Sequence, residues 1–144
     1  MGTPAKRLIL AVGFVLGASL VAGCGSDAVA PVPDEPITVE ESADSDILRL
    51  TLSESAARRL DIQTAVVGAA DDRMVVPSAA VIIDPEGIYW VYTNPEPLVY
   101  LRQEIRPVVE EGQQAFFEDG PPLGTPVVTT GVPELYGAEF GIGK

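Results

Sequence analysis

The first 24 residues constrain this chain more than any other stretch. Lys6 and Arg7 give a short positive start, and residues 8–20 read LILAVGFVLGASL, an apolar run broken only by small residues. Val21-Ala22-Gly23-Cys24 follows. A basic start, an apolar middle and small residues before a cut are the parts of a secretion signal. The apolar stretch from 8 to 22 is 15 residues long, whereas a spanning helix needs about 20. An uncleaved anchor helix with an incidental cysteine therefore fits less well in both length and flanks. The folded part is to be sought after residue 23, and it is expected outside the cytoplasm.

Val21, Ala22, Gly23 and Cys24 resemble the lipobox of bacterial lipoproteins, in which an aliphatic residue, a small residue and Gly or Ala precede the cysteine. The resemblance implies cleavage before Cys24 and a diacylglycerol on its thiol. A further acyl chain can be added to the freed amine. At about 0.8 kcal/mol per buried methylene, two chains already anchor a protein stably. The expected location is the extracytoplasmic face of a bacterial membrane, in the cell envelope. The residue after the cysteine is Gly25, not the aspartate that retains many lipoproteins at an inner membrane.

Charge supports a lipid as the means of attachment. Every acidic residue lies after Cys24, and Lys6 and Arg7 are the only basic residues before it. Seven basic residues therefore face 21 acidic ones from Cys24 onward, a formal net of −14. Such a body repels phosphate backbones, so nucleic acid is not an expected partner. It also gains nothing from anionic headgroups. With one cysteine, no intrachain disulfide can form. With no histidine, the commonest general base and transition-metal ligand is missing.

Residues 24–45, from the lipid-bearing cysteine through GSDAVAPVPDEPITVEESADS, are rich in Pro, acids and small residues and read as a disordered tether. A β-rich body is expected over residues 46–137 and a flexible tail over 138–144. ILRLTL alternates as a strand, and Ser53, or Thr51 with Glu54, can cap a short helix through SESAARRL. IQTAVV is a second strand. RMVVPSAAVIID is a strand that Pro77 interrupts, which fits an edge or a break between two strands. Asp84-Pro85-Glu86-Gly87 between VII and IYWVYT is the strongest hairpin signal. LVYLRQEIRPVV reads as one bent strand or two short ones, and QQAFFE and PVVTT complete the set. Seven or eight short strands with one small helix predict an all-β antiparallel body, a small barrel or sandwich.

The order of these segments resembles the C-terminal half of periplasmic adaptor subunits, the membrane fusion proteins of resistance-nodulation-division efflux pumps. Four stretches carry it: LTLSESAARRLDIQTAVV, VVPSAAVIIDPEGIYWVYT, the piece around LRQEIRPVV, and LGTPVVTTGVPELYGAE. Together they span roughly residues 47–139. The resemblance implies a barrel-like and membrane-proximal body and an inner-membrane transporter as partner. The lipoyl-like domain and long helical hairpin of full adaptors have no counterpart here.

Candidate sites each compete with a plainer reading. Asp84 and Glu86 could be a cation pair, but an all-protein calcium site needs about six oxygen ligands, so a solvated turn is preferred. Gly137, Gly141 and Gly143 lack the spacing of a dinucleotide fingerprint. Met74 alone makes no copper site. Ser53, Ser55 and Ser78 have no histidine to activate them, and Lys144 is the only lysine after the signal. Tyr89, Trp90, Tyr92 and Tyr100 are expected mostly in the core, with Trp90 and Tyr92 the candidates for a partner surface if exposed. No cofactor, metal or catalytic residue is expected. The favoured function is a non-catalytic, lipid-anchored accessory module of an exporter. The alternative is a lipoprotein that binds a small molecule or an envelope polymer in a barrel mouth lined by aromatics.

Overall fold

The computed structural model describes residues 35–41 and 47–142. The signal residues, Val21, Ala22, Gly23 and Cys24, lie outside these, as do Gly143 and Lys144. The description below concerns the compact unit Pro33–Lys144. It is all-β and antiparallel, with two short helices and no closed barrel.

The body opens with β1 (Ile37–Glu41) and β2 (Leu48–Leu52). β1 falls inside the stretch read as a tether. Its strand is short and acidic, and only Ile37 and Val39 give it an apolar side. Pairing with β2, from Ile37 opposite Leu52 to Glu41 opposite Leu48, recruits it. Helix α1 (Glu54–Arg59) follows, with Ser53 as its cap: Ser53 Oγ accepts from Ala56 N at 3.2 Å. Ala56 is buried, and Arg58 and Arg59 face water.

The chain then weaves between two sheets. β3 (Gln63–Val66) belongs to the larger sheet, while β4 (Gly68–Ala70) and β5 (Arg73–Pro77) belong to the smaller. Val67, buried at the crossing, holds it by accepting from Gly124 N and donating to Thr125 O. Pro77 marks the expected break: a single 3-10 turn, Ser78–Ala80, returns the chain to the larger sheet as β6 (Val81–Ile83). β6 turns through DPEG into β7 (Tyr89–Glu96), and Gly87 N donates to Asp84 O at 2.9 Å in that turn. β8 (Val99–Glu104) stays in the larger sheet; β9 (Val109–Glu111) and β10 (Gln114–Phe117) lie in the smaller. LVYLRQEIRPVV is thus two strands in different sheets. β11 (Pro126–Thr130) returns to the larger sheet.

The larger sheet runs β1-β2-β8-β7-β11-β3, with β6 beside β7, and the smaller runs β4-β5-β10-β9. β7 is covered on both faces, so Val91, Tyr92 and Thr93 are buried in succession. Val91 and Val127 look toward the smaller sheet and pack with Val76, Ala115 and Phe117. Tyr92 and Val128, one residue on, look the other way and pack with Leu50, Leu52 and Tyr100. That second face is closed by α1 and by α2 (Val132–Glu139).

Helix α2 occupies the end of the stretch expected to be β-rich and the first two residues of the expected tail. Gly131 starts it at φ +91, where a side chain would be strained. A Cβ there would also stand 2.2 Å from Ile62 Cδ1. Val132, Leu135 and Glu139 point inward at helical spacing. The helix ends in a Schellman arrangement: Ile142 N donates to Gly137 O at 2.7 Å and Gly141 N to Ala138 O at 3.2 Å, with Gly141 at φ +66. Residues 138–142, read as flexible tail, therefore belong to the helix and its stop.

Candidate functional site

The polar residues brought together by the fold lie where α2 crosses β7 and β8. The register sets Tyr92 opposite Arg102 and Trp90 opposite Glu104. Residues two apart share a face, so Trp90, Tyr92 and Arg102 all project toward α2. Leu135 and Glu139, four apart, share the inward side of that helix. Tyr92 Oη donates to Glu139 Oε2. Arg102 Nε stands 3.2 Å from Glu139 Oε1, an ion pair that is not aligned as a hydrogen bond. The Glu139 side chain is 1% exposed and that of Arg102 13%. The guanidinium lies 4.1 Å from the Trp90 ring centroid and 5.0 Å from that of Phe140, so two aromatic faces hold the cation. Phe140 in turn packs on Tyr136, centroid to centroid at 4.6 Å.

Asp84 extends this network to the hairpin. Its Oδ1 accepts from Ile88 N at 2.8 Å and Glu86 N at 3.0 Å, and its Oδ2 accepts from Trp90 Nε1 at 2.8 Å. Desolvation pushes its pKa up, but those donors and the charge of Arg102 outweigh it and hold the carboxyl below its ordinary value. Burial, then the hydrogen bond to Glu139 and that residue's charge, push the Tyr92 hydroxyl far above its usual range. Asp84, Trp90, Arg102, Glu139 and Tyr92 thus form one continuous series of contacts. It acts as a clamp, holding β7 and β8 to α2 through an ion pair, a cation–π contact and the Tyr92–Glu139 hydrogen bond.

Tyr92 is corrected by this geometry. It is fully buried, not a partner surface, because β7 is central and its even-numbered face lies under α2. Trp90 is half-buried, with one ring face under Arg102 and its N–H on Asp84. Tyr100 is buried and Tyr89 packs at the edge of the other cluster. Asp84 is the hairpin's organiser, and Glu86 is exposed and joins it only through its backbone N–H. Met74 packs beside the core between the sheets. Ser53 caps α1 and bonds Ser55 at 3.0 Å, while Ser78 Oγ is buried without a partner. Among the described residues, no group of three or more His, Cys, Asp or Glu could hold a metal ion. No described helix is long and apolar enough to cross a membrane.

Arg102, Glu139 and Phe140 are the members that sequence reasoning does not place. One signal for Glu139 is present: it is an acid in the last turn of α2, where the helix dipole favours a cation. A tertiary partner has to account for it. No protein family, curated protein or solved structure matches this chain.

Proposed function

We propose that this protein is a lipid-anchored, non-catalytic module on the extracytoplasmic face of a bacterial membrane that works beside an export transporter in the manner of an adaptor. The anchor reading rests on the signal residues and Cys24. What supports the adaptor-like reading is where its four stretches fall. They supply β2, α1 and β3; β5 to β7; β8 and β9; and β11 with α2. These elements make up most of the larger sheet and two of the four strands of the smaller one, with β1, β4 and β10 outside the likeness.

One observation weighs against the alternative of a ligand-binding mouth lined by aromatics. Tyr92, Tyr100, Phe116 and Phe117 are buried. The open grooves beside α1, between β1 and α2, and between β3 and β5 have no aromatic side chain in their linings. Among the described aromatics only Phe140 is exposed, and it lines none of these grooves.

Crosslinking in intact membranes tests the proposal. The full chain is expected to bring down a transporter component, and Cys24→Ala, which carries no lipid, to bring down much less. A well-expressed, lipid-bearing protein that captures no transporter component would overturn it.

A further inference from the structure

The end of α2 carries an apolar surface that its own motif leaves uncovered. In a Schellman stop the residue two past the cap normally lays its apolar side chain on the helix position it bonds. Here that position is Gly137, which has no side chain, and Ile142 is left 68% exposed. Ile142 instead lines a groove of about 400 Å³ with Ile37, Val39, Gly137 and Ala138. Val39 is 37% exposed on the edge strand β1, and Phe140, just before the stop, is 49% exposed. Glu35, the first described residue, sits in the same lining.

We infer that this β1–α2 face rests on the bilayer that holds the lipid of Cys24, and that it takes uncharged or zwitterionic lipid. The inference depends on the proposed lipidation. Glu35 lies eleven positions after Cys24, a reach of at most about 40 Å fully extended. That is little more than the width of a body of this size, whose radius of gyration is about 13 Å. The tether enters the fold at the groove, so of all faces this one is held nearest the membrane, at high effective concentration. Charge selects the lipid. Among the described residues no Lys or Arg lines the groove, Glu35 sits in its lining, and Glu40 and Glu41 end β1. Anionic headgroups would be repelled, while Val39 and Ile142 gain from entering the acyl boundary. Charge also disfavours a second copy as the occupant, since each carries the same acidic excess.

The thiol of Cys24, the chain's only cysteine, is consumed by lipid, so Ile142→Cys and Val109→Cys can each be spin-labelled selectively. Val109, on β9 of the smaller sheet, is 46% exposed and serves as the control. The lipid-bearing full chain is reconstituted into phosphatidylcholine vesicles, and collision with oxygen is compared with collision with a water-soluble nickel chelate. The label at 142 is expected to favour oxygen several-fold over the label at 109, and added phosphatidylglycerol to reduce that preference. A label at 142 as aqueous as that at 109, on protein whose intact mass includes the lipid, overturns the docking and leaves the anchor standing. A mass without lipid removes both. A label shielded from oxygen and nickel alike, on protein that crosslinks to itself, shows a second copy in the groove and also overturns it.

Discussion

Replacing Glu139 by Ala separates two physical accounts by sign. Considered as a helix residue, Glu139 is misplaced: an acid in the last turn opposes the dipole, and its removal should stabilise by about 0.3–1 kcal/mol. Considered as a partner, it is indispensable, because its side chain is 1% exposed and faces Arg102 at 13%. Its loss leaves a largely buried cation unpaired and the buried Tyr92 hydroxyl without its acceptor. Breaking such a pair costs about 3–5 kcal/mol, a large part of the 5–15 kcal/mol typical of a whole domain. Urea unfolding at neutral pH can be followed by Trp90, the only tryptophan, whose ring touches Arg102. The tertiary term is several times the local one, so Glu139→Ala is expected to lose about 3–5 kcal/mol and its melting temperature to fall by more than ~10 °C. Replacing all three polar partners by apolar shapes (Tyr92→Phe, Arg102→Met, Glu139→Leu) is expected to regain most of that loss. A cost under ~1 kcal/mol for Glu139→Ala would refute the clamp, as would a triple variant no more stable than the single one.

Three other outcomes follow from single residues. Gly131→Ala should destabilise by at least about 1–3 kcal/mol, since φ is +91 and the new Cβ would meet Ile62 at 2.2 Å; a melt unchanged from wild type would contradict it. The carboxyl of Asp84 is held below its ordinary 3.8, so its contribution is present above that pH and lost as pH falls through the lowered value. The stability gap between wild type and Asp84→Asn should accordingly shrink on acidification, as acid melts followed by Trp90 emission would reveal. Tyr92 runs the opposite way. Its folded pKa lies above the ordinary 10.0, so its contribution is complete below about pH 10 and declines above it, as the unfolded tyrosine ionises first. Wild type and Tyr92→Phe should converge in stability above that pH, and a gap that widens would contradict the assignment.

Local chemistry was legible where one turn or cap decides the outcome. DPEG has proline and glycine where that turn needs them, and Ser53 stands one residue before an apolar-periodic run. Pro77 signalled a break but not that β5 and β6 serve different sheets. That choice is set by which face each strand can bury, a property of the assembled sheets. The same reason hid the site. Alternation places Trp90 and Tyr92 on one face, yet whether that face meets water depends on α2. VPELYGAE is a weak helix in sequence, with a proline near its start, a glycine inside and only Val132 and Leu135 as apolar anchors. Tertiary packing makes it a helix. β1 is similar: five residues, three of them polar or acidic and four exposed, are recruited only because β2 offers an open edge. Arg102 and Glu139 lie 37 positions apart, and no local pattern links them.

The proposed lipid at Cys24 would turn an acidic body that membranes repel into a membrane protein. Intact mass of the protein extracted from the membrane fraction of its bacterial host tests this most directly. The expected mass is that of a chain beginning at Cys24 plus a diacylglycerol, with or without a further acyl group on the amine. A mass that retains Met1 and the apolar run, or that begins elsewhere without lipid, would contradict it.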